Sequence, residues 1–353
     1  MGRFKSTEIK GIFFENFYKI FESTLNDIIK NSPLNERPEV IKKIEPKMNE
    51  LLTNYEETSL ELFIKNHKFK INEYLSTHFK IQKDIVNHNK SSFIYFNLYL
   101  NGCSILYDKI AEKIPRKRID STLRVNVLLY GLILRKAFQI NDLLANGYID
   151  GAMIIWRSLY ENSITLLTLA LENNNELTDK FSLHSTRSSK RKILSYNKTH
   201  QQLKFKPLPK STNLIIDRQV SELNEKYGKD FLENEFGWAN DIFPGKQRAN
   251  LKLLEERVEM EKYRPYYILC SEQVHSNFNS LNNFKEGRSY DLPKIIDREI
   301  ELEAFIDPMQ FTLSILQEVN DYILYEFSHP NEYDVNLTLL RKILEEMLKS
   351  FDD

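Results

Sequence analysis

The sequence predicts an all-α protein, a bundle of roughly ten helices around a central buried helical hairpin. Three observations lead to this prediction. Apolar residues recur at helical spacing over long stretches, no stretch alternates with a period of two, and the 353 residues include only 10 Gly and 11 Pro. A turn-rich all-β fold would need more of these breakers. A hydrophobic content of 41% is enough to bury a sizeable core.

The segment from Ser121 to Leu171 predicts the central hairpin. Two apolar arms, each about as long as a buried helix, flank a short break from Asn146 to Gly151. Asn and Gly end helices readily because they accept left-handed backbone angles. The first arm is apolar nearly all round, which is typical of a helix inside a protein. Its apolar residues are Val125, Val127, Leu128, Leu129, Leu132, Ile133 and Leu134.

Further helices are expected on both sides of the hairpin. Those before it are Glu8–Asn31, Pro38–Lys65, Phe69–Asn87 and Ser91–Lys113. Those after it are Asp179–Tyr196, Asn213–Lys226, Asn250–Asn279 with a kink or restart at Pro265, Ile295–Phe305, Met309–Phe327 and Val335–Phe351. A break at Pro115 divides an N-terminal helical region, residues 1–115, from a helical core, residues 116–353, on which the C-terminal helices pack.

Charge and motif content exclude several protein classes. The formal net charge is −1, so attraction to a polyanion has to be local. Gly-rich phosphate loops, dinucleotide fingerprints, zinc-hydrolase motifs and nucleophile elbows are absent, and Cys103 and Cys270 have neither metal nor disulfide spacing. No apolar run is long enough to span a bilayer and no signal peptide precedes the first helix. We therefore expect a cytoplasmic protein with no cofactor, no metal and no membrane contact.

The second arm of the hairpin carries a charged pair. Arg157 and Glu161 are four residues apart and so share one face of the helix. A guanidinium offers forked donors suited to phosphate or carboxylate, and a nearby carboxylate orients it. The pair is therefore a candidate catalytic group. The alternative is an ion pair on the solvated face of an amphipathic helix.

A second polar group lies between Tyr266 and Asn277. Ser271 and His275 are one helical turn apart, and histidine is the side chain best suited to move protons near neutral pH. If this helix lies beside the Arg157 helix, all four side chains form one candidate catalytic site. The alternative is a packed, hydrogen-bonded structural histidine.

A third feature is a stretch from Lys180 to Ile216 without any acidic residue. Clustered Lys and Arg contact nucleic-acid phosphates, and interleaved aromatic residues stack on bases. The candidate phosphate-binding residues are Arg187, Lys190, Arg191, Lys192 and Lys198, and the aromatic residues among them are Tyr196, His200 and Phe205. The alternative is a solvated face paired with acidic patches such as Glu222–Glu235 or Glu255–Glu261.

Two E-x-x-H spacings, Glu272–His275 and Glu326–His329, leave a di-metal alternative open. Helical bundles that hold two iron or manganese ions use such pairs together with a Glu from each of two other helices. Glu161 and one of Glu299, Glu301 and Glu303 would supply these. However, His329 precedes Pro330 and therefore falls at a helix end.

From the hairpin to His275 the chain resembles an uncharacterised bacterial helical family, domain of unknown function 5677 (DUF5677). The resemblance covers residues 120–290. It rests on Trp156–Glu161, Lys180-Phe181 with the basic helix, Tyr227-Gly228, Trp238, Tyr267, Ser271 and Val274-His275-Ser276.

The helical character and polar motifs of that family are similar to those of the HEPN superfamily, which includes many ribonucleases of defence and toxin–antitoxin systems. Such enzymes typically form dimers and need no metal. Their Arg stabilises the phosphorane, and a His a few residues later moves protons while the RNA 2′-hydroxyl attacks. None of the seven histidines here has that spacing from an Arg, so Arg157 and His275 would have to meet from separate helices.

The resemblance thus implies a bacterial stress or phage-defence protein that acts on RNA as a homodimer through Arg157, Glu161, Ser271 and His275. The alternative is a non-catalytic helical module that binds a protein partner or nucleic acid. In that case Arg157 and His275 hold the bundle in register within a polar network.

Overall fold

A computed structural model describes residues 75–113, 121–243, 248–274, 303–327 and 330–351, together with Lys30 and Gly245. Within these residues every regular element is a helix and no strand occurs, which confirms the all-α prediction. Contacts between Cα atoms divide the chain into two units, Met1–Lys80 and Ile81–Asp353. The helices numbered α1 to α10 below belong to the second unit. The predicted helices Glu8–Asn31 and Pro38–Lys65 lie outside the described residues. So does Pro115, and the predicted division there stays a prediction.

The described helices are numbered in chain order. They are α1 (Lys90–Lys113), α2 (Ser121–Ala145), α3 (Ile149–Glu172), α4 (Asn175–Thr199), α5 (Lys210–Tyr227), the short α6 (Asp230–Glu233), α7 (Leu251–Arg257), α8 (Arg264–Val274), α9 (Glu303–Phe327) and α10 (Pro330–Lys349). Two 3-10 helices, Gly237–Ile242 and Glu261–Tyr263, lie between them, and residues 75–88 are also helical.

Helices α2 and α3 form the predicted hairpin. Gly147 has a φ of 73°, a left-handed angle that glycine adopts at little cost. The N–H groups of Gly147 and Tyr148 donate to the carbonyls of Leu144 and Leu143, both at 2.9 Å, and so close the end of α2. Helix α3 packs against α2, α7, α8 and α9, while α2 also packs against α1. The hairpin is therefore the centre of the bundle.

One face of α2 differs from the expectation of all-round burial. Leu128 is 61% exposed and Leu132 is exposed as well, whereas Tyr130 and Ile133 are fully buried. Helix α2 packs against α1, α3, α4 and α9, yet this one face is left uncovered among the described residues. The apolar pattern of α2 therefore led to a prediction of more burial than the structure shows.

A buried polar network joins three helices of the core. The side-chain oxygen of Asn320 on α9 accepts the Tyr130 hydroxyl of α2 at 2.7 Å. Its side-chain nitrogen donates to the Tyr99 hydroxyl and the Cys103 sulfur of α1, both at 3.2 Å. Because these atoms are paired inside the core, their burial carries little desolvation cost.

Helices α4 and α5 form a second hairpin after the central one, and the predicted Asp179–Tyr196 and Asn213–Lys226 lie within them. Asn174 caps α4 by accepting the Glu176 N–H at 2.8 Å. At its base, Phe181 packs edge-on against the buried Trp238 with ring centroids 5.2 Å apart.

The structure confirms the restart predicted near Pro265 but differs from the prediction in two other helix boundaries. The predicted helix Asn250–Asn279 is interrupted after Arg257, because Glu259 adopts a left-handed φ of 57°. The chain restarts as α8 with Pro265 in its first turn, where its missing N–H has no partner to lose.

Helix α9 runs without a break from Glu303 to Phe327 and includes Pro308, although the sequence predicted separate helices on the two sides of it. Phe305 and Met309, four residues apart, are both fully buried. Their burial on one face of the helix offsets the backbone hydrogen bond that proline cannot donate.

Among the described helices, none is long and apolar enough to cross a membrane. Both cysteines are buried free thiols, and burial raises the pKa of Cys103 and of Cys270 to about 12. A protonated, buried thiol is chemically inert, so neither residue is a candidate nucleophile.

Candidate functional site

The predicted pair on α3 is present. The Arg157 Nε atom lies 3.1 Å from the Glu161 Oε1 atom, and the side chains are 24% and 39% exposed. The pair therefore lies at the rim of the bundle, where one side of each group reaches solvent. Such a placement orients the guanidinium without sealing it from a ligand.

Tyr267 of α8 forms hydrogen bonds with both members of this pair. Its hydroxyl donates to Glu161 Oε1 at 2.7 Å and accepts from Arg157 Nε at 3.2 Å. The Arg157 guanidinium carbon also lies 5.1 Å from the centre of the Tyr267 ring, within the range of a cation–π contact. We call Arg157, Glu161 and Tyr267 the polar cluster.

Burial and charge both act on the cluster. Burial raises the pKa of Tyr267 to about 12, and the adjacent Glu161 charge adds to this. Partial burial opposes the charge on Arg157, but Tyr267 and Glu161 outweigh it, so the Arg157 pKa is raised. Both groups therefore keep their protons at neutral pH.

Lys136 adds a second cation beside α3. Its ammonium donates to the Ser158 carbonyl at 3.1 Å and to the Ser158 hydroxyl. Burial lowers the Lys136 pKa, although the nearby Glu161 opposes the shift. Sequence reasoning did not single out Lys136, because the contact depends on how α2 and α3 pack.

Of the other two predicted catalytic residues, only Ser271 is described. Its hydroxyl donates to the Tyr267 carbonyl of its own helix at 2.7 Å. Ser271 therefore lies one helical turn after Tyr267, and its hydroxyl proton is used in a bond within its own helix. His275 lies outside the described residues, so its predicted approach to Arg157 stays a prediction.

A second ion pair, missed by the sequence reasoning, flanks the cluster. The Arg264 guanidinium carbon lies 5.5 Å from the Tyr267 ring centre, and its Nη1 atom lies 2.7 Å from Glu255 Oε2. Glu255 is completely buried, and this burial raises its pKa, which Arg264 opposes. The alternative in which the basic stretch pairs with acidic patches that include Glu255 is therefore wrong for this residue, since its partner is Arg264. The position of Glu255 four residues after the buried Leu251 was the available clue.

The predicted nucleic-acid-binding residues all lie in the second hairpin. We call its outer part, residues 187–210, the basic hairpin. Arg191, Lys192 and Lys198 are exposed, and Arg187 and Lys190 are partly exposed. Within the described parts of the chain none of these five residues lies within salt-bridge distance of a carboxylate. Lys180, at the base of α4, contrasts with them because it contacts both Glu176 and Asp241.

The cluster and the basic hairpin are separate features. Arg157 lies fifteen residues before the end of α3, or about 22 Å along the helix axis, and α4 begins only after that end. In the described ranges no hydrogen bond, ion pair or ring contact joins the two. A ligand that reaches both has to be extended.

The di-metal alternative depends on residues that the structure does not describe. His275 and His329 lie outside the described ranges, as do Glu299 and Glu301. Among the residues that are described, no group of three or more His, Cys, Asp or Glu side chains is placed to hold a metal ion.

Comparisons with known proteins agree with one part of the sequence analysis. Residues 124–289 match the family described as "Family of unknown function (DUF5677)". A search of curated proteins and a search of solved structures each gave no match. None of these comparisons supports the further similarity to HEPN, which stays a prediction. The matched range contains the polar cluster, the basic hairpin, Ser271 and His275, so residues 124–289 of this chain are similar to the DUF5677 family.

Proposed function

We propose that this protein binds RNA through the basic hairpin. One observation carries the proposal: the basic side chains from Arg187 to Lys210 have no carboxylate partner among the described residues, in a chain whose formal net charge is −1. Exposed cations elsewhere in the described fold are of both kinds: Arg218, Arg248 and Lys342 have such partners, whereas Arg124 and Arg135 do not. The clustering of unpaired cations in one stretch is therefore what distinguishes the basic hairpin.

The arrangement of these residues suits a phosphate backbone. Arg187, Arg191 and Lys198 are spaced by four and seven residues, which places them on one face of α4 over about 16 Å. A row of uncompensated cations attracts a polyanion by releasing its counterions, and this gives affinity without reading sequence. The helix geometry therefore supports contact with several successive phosphates.

The test is the salt dependence of RNA binding. We expect the combined substitution Arg191→Ala, Lys192→Ala and Lys198→Ala to weaken binding. It should also lower the slope of log affinity against log salt concentration by about 2, at about 0.7 per phosphate contact on a single strand. Fluorescence anisotropy with a labelled RNA at several salt concentrations measures both.

The matched control replaces three exposed cations that have carboxylate partners, Arg218→Ala, Lys252→Ala and Lys342→Ala. It removes the same charge from the whole molecule, so any effect of net charge alone appears in both variants. An equal loss in the control variant, or a wild-type protein that does not bind RNA at low salt, contradicts the proposal.

RNA cleavage at the polar cluster is the second candidate function. The observation that favours it is that Glu161 and Tyr267 fix Arg157 at the rim of the bundle, because a preorganised guanidinium stabilises the charge of a phosphorane. In this mechanism the 2′-hydroxyl attacks phosphorus and loses its proton to His275. Protonated His275 then gives this proton to the leaving 5′-oxygen as the bond from phosphorus to that oxygen breaks, and the products are a 2′,3′-cyclic phosphate and a 5′-hydroxyl.

Cleavage makes a separate prediction. Purified protein should cut RNA in the presence of a chelator, and Arg157→Ala or His275→Ala should abolish cleavage while far-ultraviolet circular dichroism stays unchanged. Arg218→Ala, an exposed arginine on α5, is the control. A broad panel of RNAs left intact by the wild-type protein removes this candidate, and RNA binding then stands alone.

The cellular setting belongs to the same proposal. A cytoplasmic protein of bacterial stress or phage defence, acting as a homodimer, fits the resemblance given by the sequence. Binding of a protein partner is the outcome expected if the basic hairpin fails to bind RNA.

A further inference from the structure

The tip of the basic hairpin holds three aromatic rings in one stack. The ring centre of Tyr196 lies 5.8 Å from that of His200 and 6.4 Å from that of Phe205, with planes inclined by only 11° and 12°. Nearly parallel, offset rings at such separations stack favourably. Tyr196 is on α4 and Phe205 is in the following loop, so the stack exists because the loop folds back on the helix.

Local hydrogen bonds hold this loop in place. The Phe205 N–H donates to the His200 carbonyl at 2.8 Å, and the Tyr196 hydroxyl donates to the Lys206 carbonyl at 2.8 Å. Lys204 adopts a left-handed φ of 55°, which reverses the chain just before Phe205. The stack is therefore formed without a ligand, and binding would not have to order it.

The stack remains open to solvent. Phe205 is 56% exposed although it contacts Tyr196, and Leu203 beside it is 57% exposed. Lys198, Lys204 and Lys206 are near these rings in the sequence, are exposed, and have no carboxylate partner among the described residues. An exposed aromatic face amid unpaired lysines is the combination by which proteins bind single strands, whose bases stack on the ring while the phosphates meet the cations.

We infer that the tip of the basic hairpin prefers single-stranded over double-stranded nucleic acid, with an unpaired base stacked on Phe205. The inference rests on the proposed RNA binding and names its ligand class. Lysine contacts to phosphate attract both forms, and they do not favour the single strand, because the duplex has the higher charge density. The ring adds affinity only for a strand whose bases are free, since duplex bases already stack on one another.

The experiment compares a labelled RNA strand with the same strand annealed to its complement, at one salt concentration, by fluorescence anisotropy. Phe205→Leu keeps an apolar side chain but removes the aromatic face. We expect it to bind the single strand about tenfold more weakly and the duplex unchanged. Leu203→Ala, an equally exposed apolar residue of the same loop, is the matched control and should bind both as wild type does.

Phe205→Trp provides a direct readout of stacking. This variant should retain affinity for the single strand, and its indole fluorescence should be quenched by the single strand but not by the duplex. The wild-type tryptophans, Trp156 and Trp238, are buried and supply a constant background.

The outcomes separate the inference from the function on which it rests. If the wild-type protein binds strand and duplex equally and Phe205→Leu changes neither, RNA binding stands and the stacking inference is overturned. An equal loss with both ligands overturns it too, because Phe205 then shapes the tip rather than receives a base. A wild-type protein that binds neither ligand refutes both proposals.

Discussion

The polar cluster and the basic hairpin use cationic side chains in opposite ways. In and beside the cluster, Arg157 and Arg264 each face a carboxylate and the Tyr267 ring at the rim of the bundle. In the basic hairpin, residues 187–210, no described carboxylate faces the cations. Paired, partly buried charges fix a geometry and support the fold, whereas unpaired exposed charges attract a distant polyanion. Substitutions in the first region should therefore change stability, and those in the second should change binding.

The largest effect on stability is expected from Glu255→Ala. The substitution leaves Arg264 without its buried partner, and we expect the free energy of unfolding to fall by about 2–3 kcal/mol. The loss is smaller than for a fully buried pair because the Arg264 side chain is 33% exposed and water replaces part of the contact. Urea denaturation followed by circular dichroism measures it.

Glu256→Ala is the control for this prediction. Glu256 is the next residue on the same helix, is 45% exposed, and lies 3.8 Å from Lys252. Its removal should change the free energy of unfolding by less than about 0.5 kcal/mol. Equal, small effects of both substitutions would mean that the buried pair does not support the fold, and the contrast between the two regions would fail.

Tyr267→Phe is expected to have an intermediate effect. It removes the hydroxyl that contacts Glu161 and Arg157 but keeps the ring beside both guanidinium groups. We expect the free energy of unfolding to fall by about 1 kcal/mol, the usual net value of such hydrogen bonds. Tyr95→Phe, at a partly exposed tyrosine of α1 whose hydroxyl has no hydrogen bond within the described residues, serves as the control for loss of a hydroxyl.

Wild type and Tyr267→Phe should also differ in how their stability changes at alkaline pH. The pKa of Tyr267 is raised from 10.0 to about 12 in the fold, so the folded state holds this proton more tightly than the unfolded state does. The resulting stability is complete below pH 10 and is lost as pH rises through 12. The stability advantage of wild type over Tyr267→Phe should therefore shrink across this range. An advantage that stays constant would contradict the raised pKa.

The smallest effect on stability is expected from the triple substitution Arg191→Ala, Lys192→Ala and Lys198→Ala. We expect a change in the free energy of unfolding below about 0.5 kcal/mol, towards greater stability, because mutual repulsion is relieved. High salt should abolish the difference by screening. Thermal and urea denaturation at low and high salt test this, and a marked destabilisation would show that these residues support the fold rather than await a ligand.

Sequence reasoning predicted the helices well where the apolar pattern was long. The prediction of α1, of the hairpin of α2 and α3, and of the positions of α4 and α5 follows from periodicity and from breakers such as Gly147. The restart near Pro265 was predicted, but the end of α7 at Arg257 was not, because Glu259, which takes the left-handed angle there, is not a residue type that breaks helices. The continuation through Pro308 depends on tertiary burial of Phe305 and Met309, which no local pattern contains.

The candidate site was predictable only where its contacts are local. The contact of Arg157 with Glu161 follows from helical spacing. Tyr267 and Glu161 are 106 residues apart in the sequence. Arg264 lies over the Tyr267 ring because α8 begins at Arg264 after the break that follows α7. Such pairings depend on how the helices pack. Likewise, the basic stretch could be read from composition, but the stacking of Phe205 on Tyr196 required the folded loop.

The two buried cysteines can be used to measure local opening of the fold. Cys103 on α1 accepts a hydrogen bond from Asn320 of α9, while Cys270 lies on α8 three residues after Tyr267, so the two thiols are buried at different places in the fold. A thiol-specific reagent can modify either sulfur only after its surroundings open. Because the sequence contains no other cysteine, the two labelling rates compare the opening of the core with that of the α8 region without any engineered probe.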